Sequence, residues 1–243
     1  MTTSTEASPP GFTGKAILKY LLELVIVIFG VYIGFMANKY QENQKEKRYT
    51  ETVIKEMYQS LASDISDARD NQHGHETGLK SVAYFLRIAE GVPVSADTFS
   101  QYLFELTRSF LSIQNTAPFE ALKSNGLNVI TNDSLRSKIV HLYDFQYDIL
   151  EKIEEQYPES NFMERYYQDI VEILDKGLIL DKSGRITGIR TPLPITPEER
   201  VRLFLHLKRI RYARQFNLAI YNVVLKEMED LRSALKAEYG YLK

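Results

Sequence analysis

The chain has 243 residues, 44% of them apolar, with 30 basic and 32 acidic residues and a formal net charge of −2. That near balance argues against a general nucleic-acid binder, which carries a basic excess, so no nucleic-acid partner is expected. Without a single cysteine, disulfides, thiolate metal sites and cysteine nucleophiles are excluded, while the compartment stays open.

Residues 1–15 open with MTTSTEASPPGFTG, rich in Thr, Ser, Pro and Gly and free of hydrophobic periodicity. They read as a disordered tail. Residues 16–38, AILKYLLELVIVIFGVYIGFMAN, follow. As a helix this stretch is about 35 Å long, enough to cross a hydrocarbon core of about 30 Å. Only Leu24 to Ala37 is free of charge, a length that also suits a buried core helix or a signal-peptide core. Leu21 and Leu22 extend the run, Lys15 and Lys19 can snorkel to one interface, and Lys39 with Tyr40 marks the other. Phe35, Met36 and Ala37 offer no small-residue cleavage site. The expectation is an uncleaved single-pass transmembrane helix with the lipid bilayer as its partner, carrying residues 39–243 as a helical soluble domain.

Projected at roughly 100° per residue, Ala16, Lys19, Glu23, Gly30, Gly34 and Ala37 fall within roughly 40° of one line, opposite Leu21, Val25, Ile28, Tyr32, Phe35 and Met36. Lys19, Glu23, Gly30, Gly34 and Ala37 thereby form a candidate contact face. Gly30 and Gly34 make a G-x-x-x-G pair, which lets a second backbone approach closely in lipid. The expected partner is a second copy of the chain or another membrane protein. Glu23 has two readings: an intramembrane carboxylate facing a partner or an ion path, or, preferred, an interfacial carboxylate neutralised by Lys19 one turn away. Lys39, Lys45, Lys47, Arg48 and Lys55 outnumber Lys15 and Lys19, which favours a cytoplasmic body. A long C-terminal domain crosses regardless of charge, so that preference is slight.

Beyond Lys39 no Gly or Pro intervenes until Gly74. Ile54, Met57, Leu61, Ile65, Ala68, Gln72, His75, Leu79, Val82, Leu86 and Ala89 recur at threes and fours, a heptad-like stripe of coiled-coil type. Gln72 and His75 break its apolar character and Gly74 weakens the helix, so it is either one long helix with a soft centre or broken near residues 73–78.

The segments ELVIVIFGVYIGFMANKYQENQKEKR and FEALKSNGLNVITNDSLRSKIVHLYDFQYDILE resemble a family of uncharacterised bacterial single-span membrane proteins known only as a domain of unknown function. Glu23, Gly30, Asn38, Leu122, Lys123, Ser124, Gly126, Leu135 and Arg136 carry the likeness. It implies membrane residence and a helical body and brings no activity to transfer.

The rest is punctuated like a helical bundle. Gly91, Pro93 and Ser95 end one helix, and Phe99, Leu103, Leu106, Phe110 and Ile113 give a short apolar face. Pro118 opens a short helix stopped by Gly126. Thr131, Asn132 or Asp133 caps a long one that Pro158 kinks or ends, and a helical face resumes from Phe162 until Gly177. Residues 178–197 carry turn signals between two β-prone runs, either a loop or a small hairpin. Thr196, Pro197 and Glu199 open a last helix reaching about Glu238. The fold class is therefore all-α: an N-terminal transmembrane helix continuing into a bundle of about five to seven helices.

That last helix holds Arg200, Arg202, Lys208, Arg209, Arg211 and Arg214, candidate contacts for anionic lipid headgroups. The favoured alternative is a solvated face, because Leu203, Leu207, Ile210 and Leu218 supply an ordinary core stripe. His73, His75 and Glu76 are close in sequence, but two imidazoles at i and i+2 point to different helix faces, which disfavours a metal site. No phosphate-loop, dinucleotide, nucleophile-elbow or zincin motif is present, so no catalytic residue, metal or cofactor is assigned and the chain is not expected to be an enzyme. Two functions remain: a membrane-anchored scaffold that binds itself or a partner, or a sensory bundle with a pocket lined by His75, His141 and tyrosines.

Overall fold

The computed structural model describes residues 14–242. The tail expected over residues 1–15 lies almost wholly outside them, and the first helix, α1, already runs from Gly14 to Ala89. Two compact units divide the chain, residues 1–52 and 53–243, and α1 passes through both without interruption.

In the first unit the described residues are all helical, and every side chain from Leu18 to Tyr49 is exposed. This helix contains a stretch long and apolar enough to cross a membrane, with a mean hydropathy of 2.2 and none of that stretch buried.

The second unit is a helical bundle. After α1 come α2 (Phe99–Thr107), α3 (Ala117–Asn125), α4 (Asp133–His141), α5 (Tyr147–Glu151), α6 (Gln168–Leu174) and α7 (Pro197–Glu238). Single π-helical turns at Leu142–Gln146 and Lys152–Gln156 follow α4 and α5, and a third, Met163–Tyr167, leads into α6. Short 3-10 turns occupy Leu127–Val129, Pro158–Ser160 and Asp175–Gly177. The all-α expectation holds, and so do several of its boundaries. Asn132 caps α4 by accepting the Leu135 N–H at 3.1 Å. Thr196 and Glu199 close a reciprocal capping box on α7, with Pro197 in its first turn. Gly126 ends α3 at φ +92°, a conformation that favours glycine.

Residues 178–197 do form the small hairpin, β1 (Leu178–Leu180) paired antiparallel with β2 (Ile186–Ile189) and bulged between Ile179 and Leu180. Asp181 builds its turn by accepting the Ser183 and Arg185 N–H groups at 2.8 and 2.9 Å. Those bonds and the Ser183 hydroxyl hold its carboxyl below the usual carboxylate range.

The body portion of α1 runs antiparallel to α7. Arg69 meets Glu229 at 2.6 Å, Gln72 meets Asn222 at 2.6 Å, and Arg200 donates to the Ala89 carbonyl at 3.3 Å. Two hydrophobic clusters lie along this pair. One gathers Ile54, Met57 and Leu61 with Phe119, Ile139, Val224 and Leu231. The other gathers Phe85 and Ile88 with Phe99, Phe162, Ile170, Leu203 and Ile210. Between them the interior is polar: His75, Ser81, Arg214 and Asn217 are all buried there.

The helix does not break near residues 73–78, and its two glycines have a packing reason. A Cβ on Gly78 would lie 2.3 Å from Cζ and Nε of Arg214, and one on Gly74 would lie 2.2 Å from the edge of the Phe110 ring. Each glycine is a notch that admits a neighbour's side chain. The two notches differ in what can give way, since Arg214 is locked by hydrogen bonds while Phe110 is only half-buried and can swing. Gly78→Ala is therefore expected to destabilise the body by about 1–3 kcal/mol through overpacking. Gly74→Ala should cost less, because Phe110 can move aside, while the gain in helix propensity of up to about 1 kcal/mol is common to both variants. Thermal unfolding followed by circular dichroism checks the order; equal midpoints for the two variants would overturn it.

Candidate functional site

Arg108 to Thr116 connects α2 to α3 with no helix or strand of its own. A segment of this kind must find partners for its backbone polar groups elsewhere. It finds them on Asp64, Asp67 and Asn71 of α1, spaced by three and four so that they share one face, and on Glu154 and Arg214 opposite.

Asp64, only 3% exposed, accepts the Asn115 N–H at 3.2 Å, the Asn115 amide at 2.7 Å and the Tyr147 hydroxyl at 2.9 Å. Asp67 accepts the Ile113 N–H at 3.1 Å. Asn71 donates to the Leu111 carbonyl at 3.3 Å. Glu154 accepts both the N–H and the hydroxyl of Ser112 at 2.8 Å, and also the Tyr221 hydroxyl. Burial raises the Asp64 and Glu154 carboxyls above their ordinary values, and these hydrogen bonds oppose the shift without cancelling it.

Arg214 closes the other end of the clamp. It is completely buried, and no carboxylate among the described residues forms an ion pair with it. Its Nη2 donates to the carbonyls of Glu105, Leu106 and Arg108 at 2.8, 3.0 and 3.0 Å. The first two belong to the last turn of α2, where carbonyls lack intrahelical partners and the helix dipole favours a cation. Nη1 donates to His75 Nδ1 at 3.3 Å, and the ring of Phe162 lies under the guanidinium at 4.5 Å. Because arginine only donates, Nδ1 must be the unprotonated nitrogen and the His75 proton sits on Nε2. Burial, reinforced by Arg214, pushes the His75 pKa down to about 3, so the ring stays neutral. Burial also lowers Arg214, to about 10, leaving it charged near neutrality. Arg214 Nη1 and Nη2 are engaged with His75 and with the protein's own backbone, whereas Arg214 Nε and His75 Nε2 are buried without a hydrogen-bond partner. The cluster clamps polypeptide.

The expected lipid-contact residues divide. Arg202, Lys208, Arg209 and Arg211 are exposed. Arg200 is half-buried and supplies a donor to the C-terminus of α1. Arg214 corrects the sequence reading: it cannot touch a headgroup, because the end of α2 and the Gly78 notch enclose it. A basic residue continuing at threes and fours the apolar helix face of Leu203, Leu207 and Ile210 was the signal that could have found it.

His141 lies elsewhere, on the surface at the end of α4. Its Nε2 is 3.4 Å from a Glu227 carboxylate oxygen that also accepts from Gln146 at 2.9 Å, and its ring stacks on Phe145 with centroids 5.2 Å apart. Two adjoining hollows of about 300 and 690 Å³ share Ser137 and His141, and Lys138, Asp230, Arg136 and Asp144 line their walls. His75 and His141 therefore line no common pocket. His73 sits exposed beside Glu76 at 3.7 Å, and among the described residues no three His, Cys, Asp or Glu side chains are grouped to hold a metal ion.

On the apolar half of α1, Lys19 and Glu23 pair at 3.8 Å. The space above Gly30 and Gly34 is open, with nothing within 4 Å of where a Cβ would stand. Ala37 is exposed on the same face. Searched against family models, curated proteins and solved structures, the chain matches none.

Two outcomes test the clamp. Arg214→Met strands three carbonyls and the His75 lone pair and is expected to cost about 3–5 kcal/mol, a drop of roughly 10 °C in unfolding midpoint for a body of this size. A drop under about 2 °C would show that the guanidinium is dispensable. The second concerns pH. Native Asp64 and Glu154 hold protons more tightly than the unfolded chain, so their contribution to stability falls as pH rises from about 4 through their raised native values. The stability difference between wild type and Asp64→Asn/Glu154→Gln should narrow over that window; a difference that widens would reverse the assignment.

Proposed function

We propose that this chain is a membrane-anchored helical interaction or scaffold protein, crossing the bilayer once and binding a second copy or another membrane protein. One observation carries the reading. Among the described residues nothing covers the apolar stretch of α1, and an unburied run of that length and hydropathy is unstable in water and matched to lipid. From Val53 onward the same helix supplies one wall of the body's core.

The open notches at Gly30 and Gly34 suit close approach of a second helix, and Lys19, Glu23 and Ala37 share their face. Pairing with Lys19 favours an interfacial role for Glu23. The Lys and Arg count beyond Ala37 favours a cytoplasmic body, and the exposed Arg202, Lys208, Arg209 and Arg211 are available to anionic headgroups. The resemblance to uncharacterised bacterial single-span proteins supports membrane residence. No catalytic step is assigned.

A second reading, a ligand-binding or sensory bundle, is favoured by the groove around His141 and Glu227. It differs in predicting a bound small molecule rather than a protein neighbour.

Purification of the full chain in mild detergent with mass determination tests the scaffold reading. Wild type is expected to run as an oligomer or with a co-purifying membrane protein, and Gly30→Ile/Gly34→Ile should reduce that association about tenfold or more, equivalent to about 1.4 kcal/mol. A clean wild-type monomer with no companion would overturn it.

A further inference from the structure

A hollow of about 370 Å³ lies between α1 and α7, lined by Ala62, Ile65 and Arg69 of the first and by Glu229, Arg232 and Ser233 of the second. That volume falls within the range of small-ligand sites. Arg69 is answered by Glu229 at 2.6 Å. Arg232 is not answered: no carboxylate among the described residues pairs with it, and its Nε is buried without a hydrogen-bond partner. Its guanidinium lies over the ring of Tyr58 at 4.2 Å, and Tyr58 is itself buried. A guanidinium stacked in this way spends its face on the ring and keeps its N–H edge for an acceptor.

We propose that this groove binds a phosphate-type oxyanion between Arg232, Arg69 and the Ser233 hydroxyl. Two guanidinium groups against one carboxylate leave a positive charge over, and the half-buried Arg232 carries it. A cation withdrawn from water without a partner is costly, and an anion in the groove would supply one. Lys226 and Lys236 share a strip of α7 with Glu229 and Ser233, spaced by threes and fours, and Lys55 lies on the line of α1 that carries Tyr58, Ala62 and Arg69; all three lysines are exposed. They extend the basic margin along the groove. Arginine forks match phosphate oxygens through paired, charge-assisted hydrogen bonds. A tetrahedral oxyanion offers acceptors to donors on both helices, whereas a carboxylate offers two oxygens in one plane.

Glu229 is the competitor for this site. Its side chain is 46% exposed and that of Arg69 62%, and an ion pair so open to solvent is worth little. An entering oxyanion can therefore take the Arg69 fork and leave Glu229 to water. Removing the carboxylate should strengthen binding, which a loss of fold cannot imitate. A phosphorylated small molecule and a phospholipid headgroup share this chemistry. The inference is independent of the association proposed above, since it uses neither the glycine face nor a second copy.

The full chain in maltoside micelles, titrated with inorganic phosphate at constant ionic strength and followed by phosphorus NMR, should show saturable binding. Arg232→Gln should weaken it about tenfold or more while helical circular dichroism is unchanged. Glu229→Gln should tighten it about two- to fivefold, the worth of an exposed ion pair. Lys182→Gln, the same loss of charge on the exposed turn of the hairpin, should leave it unchanged. Glycerol phosphate and a short-chain phosphatidic acid, both phosphomonoesters, should each displace phosphate. Stronger displacement by the acylated compound assigns the groove to a lipid headgroup; otherwise it takes a soluble phosphate. Failure to saturate, an affinity untouched by Arg232→Gln, weaker binding in Glu229→Gln, or an equal loss in Lys182→Gln would each overturn the proposal.

Discussion

The body depends on one buried guanidinium. Arg214 sits where the two hydrophobic clusters meet, and one of its amino groups donates to three carbonyls at once. A buried cation is ordinarily expensive unless a carboxylate answers it. Here the answer is distributed: the negative end of the α2 dipole, the carbonyl of Arg108, the lone pair of His75 and the face of Phe162. Because several weak partners replace one strong one, the arrangement works only if all of them are held in place. That requirement fixes the end of α2, the register of α1 against α7, and the glycine at position 78.

The same logic explains the connector from Arg108 to Thr116. An extended segment between helices would normally lie on the surface and take its hydrogen bonds from water. This one is stitched to α1 by Asp64, Asp67 and Asn71 and across the bundle by Glu154 and Tyr221. Burying two carboxylates to hold it costs desolvation, visible in their raised pKa values. The return is specificity, because a connector bound through its backbone at fixed positions cannot slide, and a slide would uncover Arg214 and the end of α2.

Much of this was legible in residues whose meaning is local. Thr196, Pro197 and Glu199 announce α7, Asn132 announces α4, and the turn residues Asp181 to Gly184 announce the hairpin, since each acts within a few positions of itself. The heptad stripe of α1 showed its core face, including the polar interruption at Gln72 and His75. What that interruption was for could not be read, because its partners lie more than one hundred residues away on α7. Gly74 and Gly78 look like helix breakers in sequence and are packing notches in the fold; propensity alone cannot tell the two apart. Arg214 was grouped with its basic neighbours because charge runs are read by proximity, whereas burial is decided by which side of the helix each residue occupies.

That side-of-helix distinction also bears on the rest of α7. A helix that anchors a core needs one apolar face, and the capping box and core stripe account for that one completely. A second apolar face, made by the exposed Val201, Leu205, Tyr212, Phe216 and Val223 and nearly opposite the first, contributes nothing to folding of a single copy and carries a solubility cost in water. Arg200 and Arg214 are drawn from the basic run into capping helix ends, and the four exposed cations left behind flank this second face. The glycine notches on the apolar half of α1 belong to the chemistry of lipid, where close backbone approach takes the place of hydrophobic burial. Among the described residues both the apolar stretch of α1 and the outer face of α7 thus expose a surface that the fold itself leaves uncovered, so neither is explained by the packing of the body.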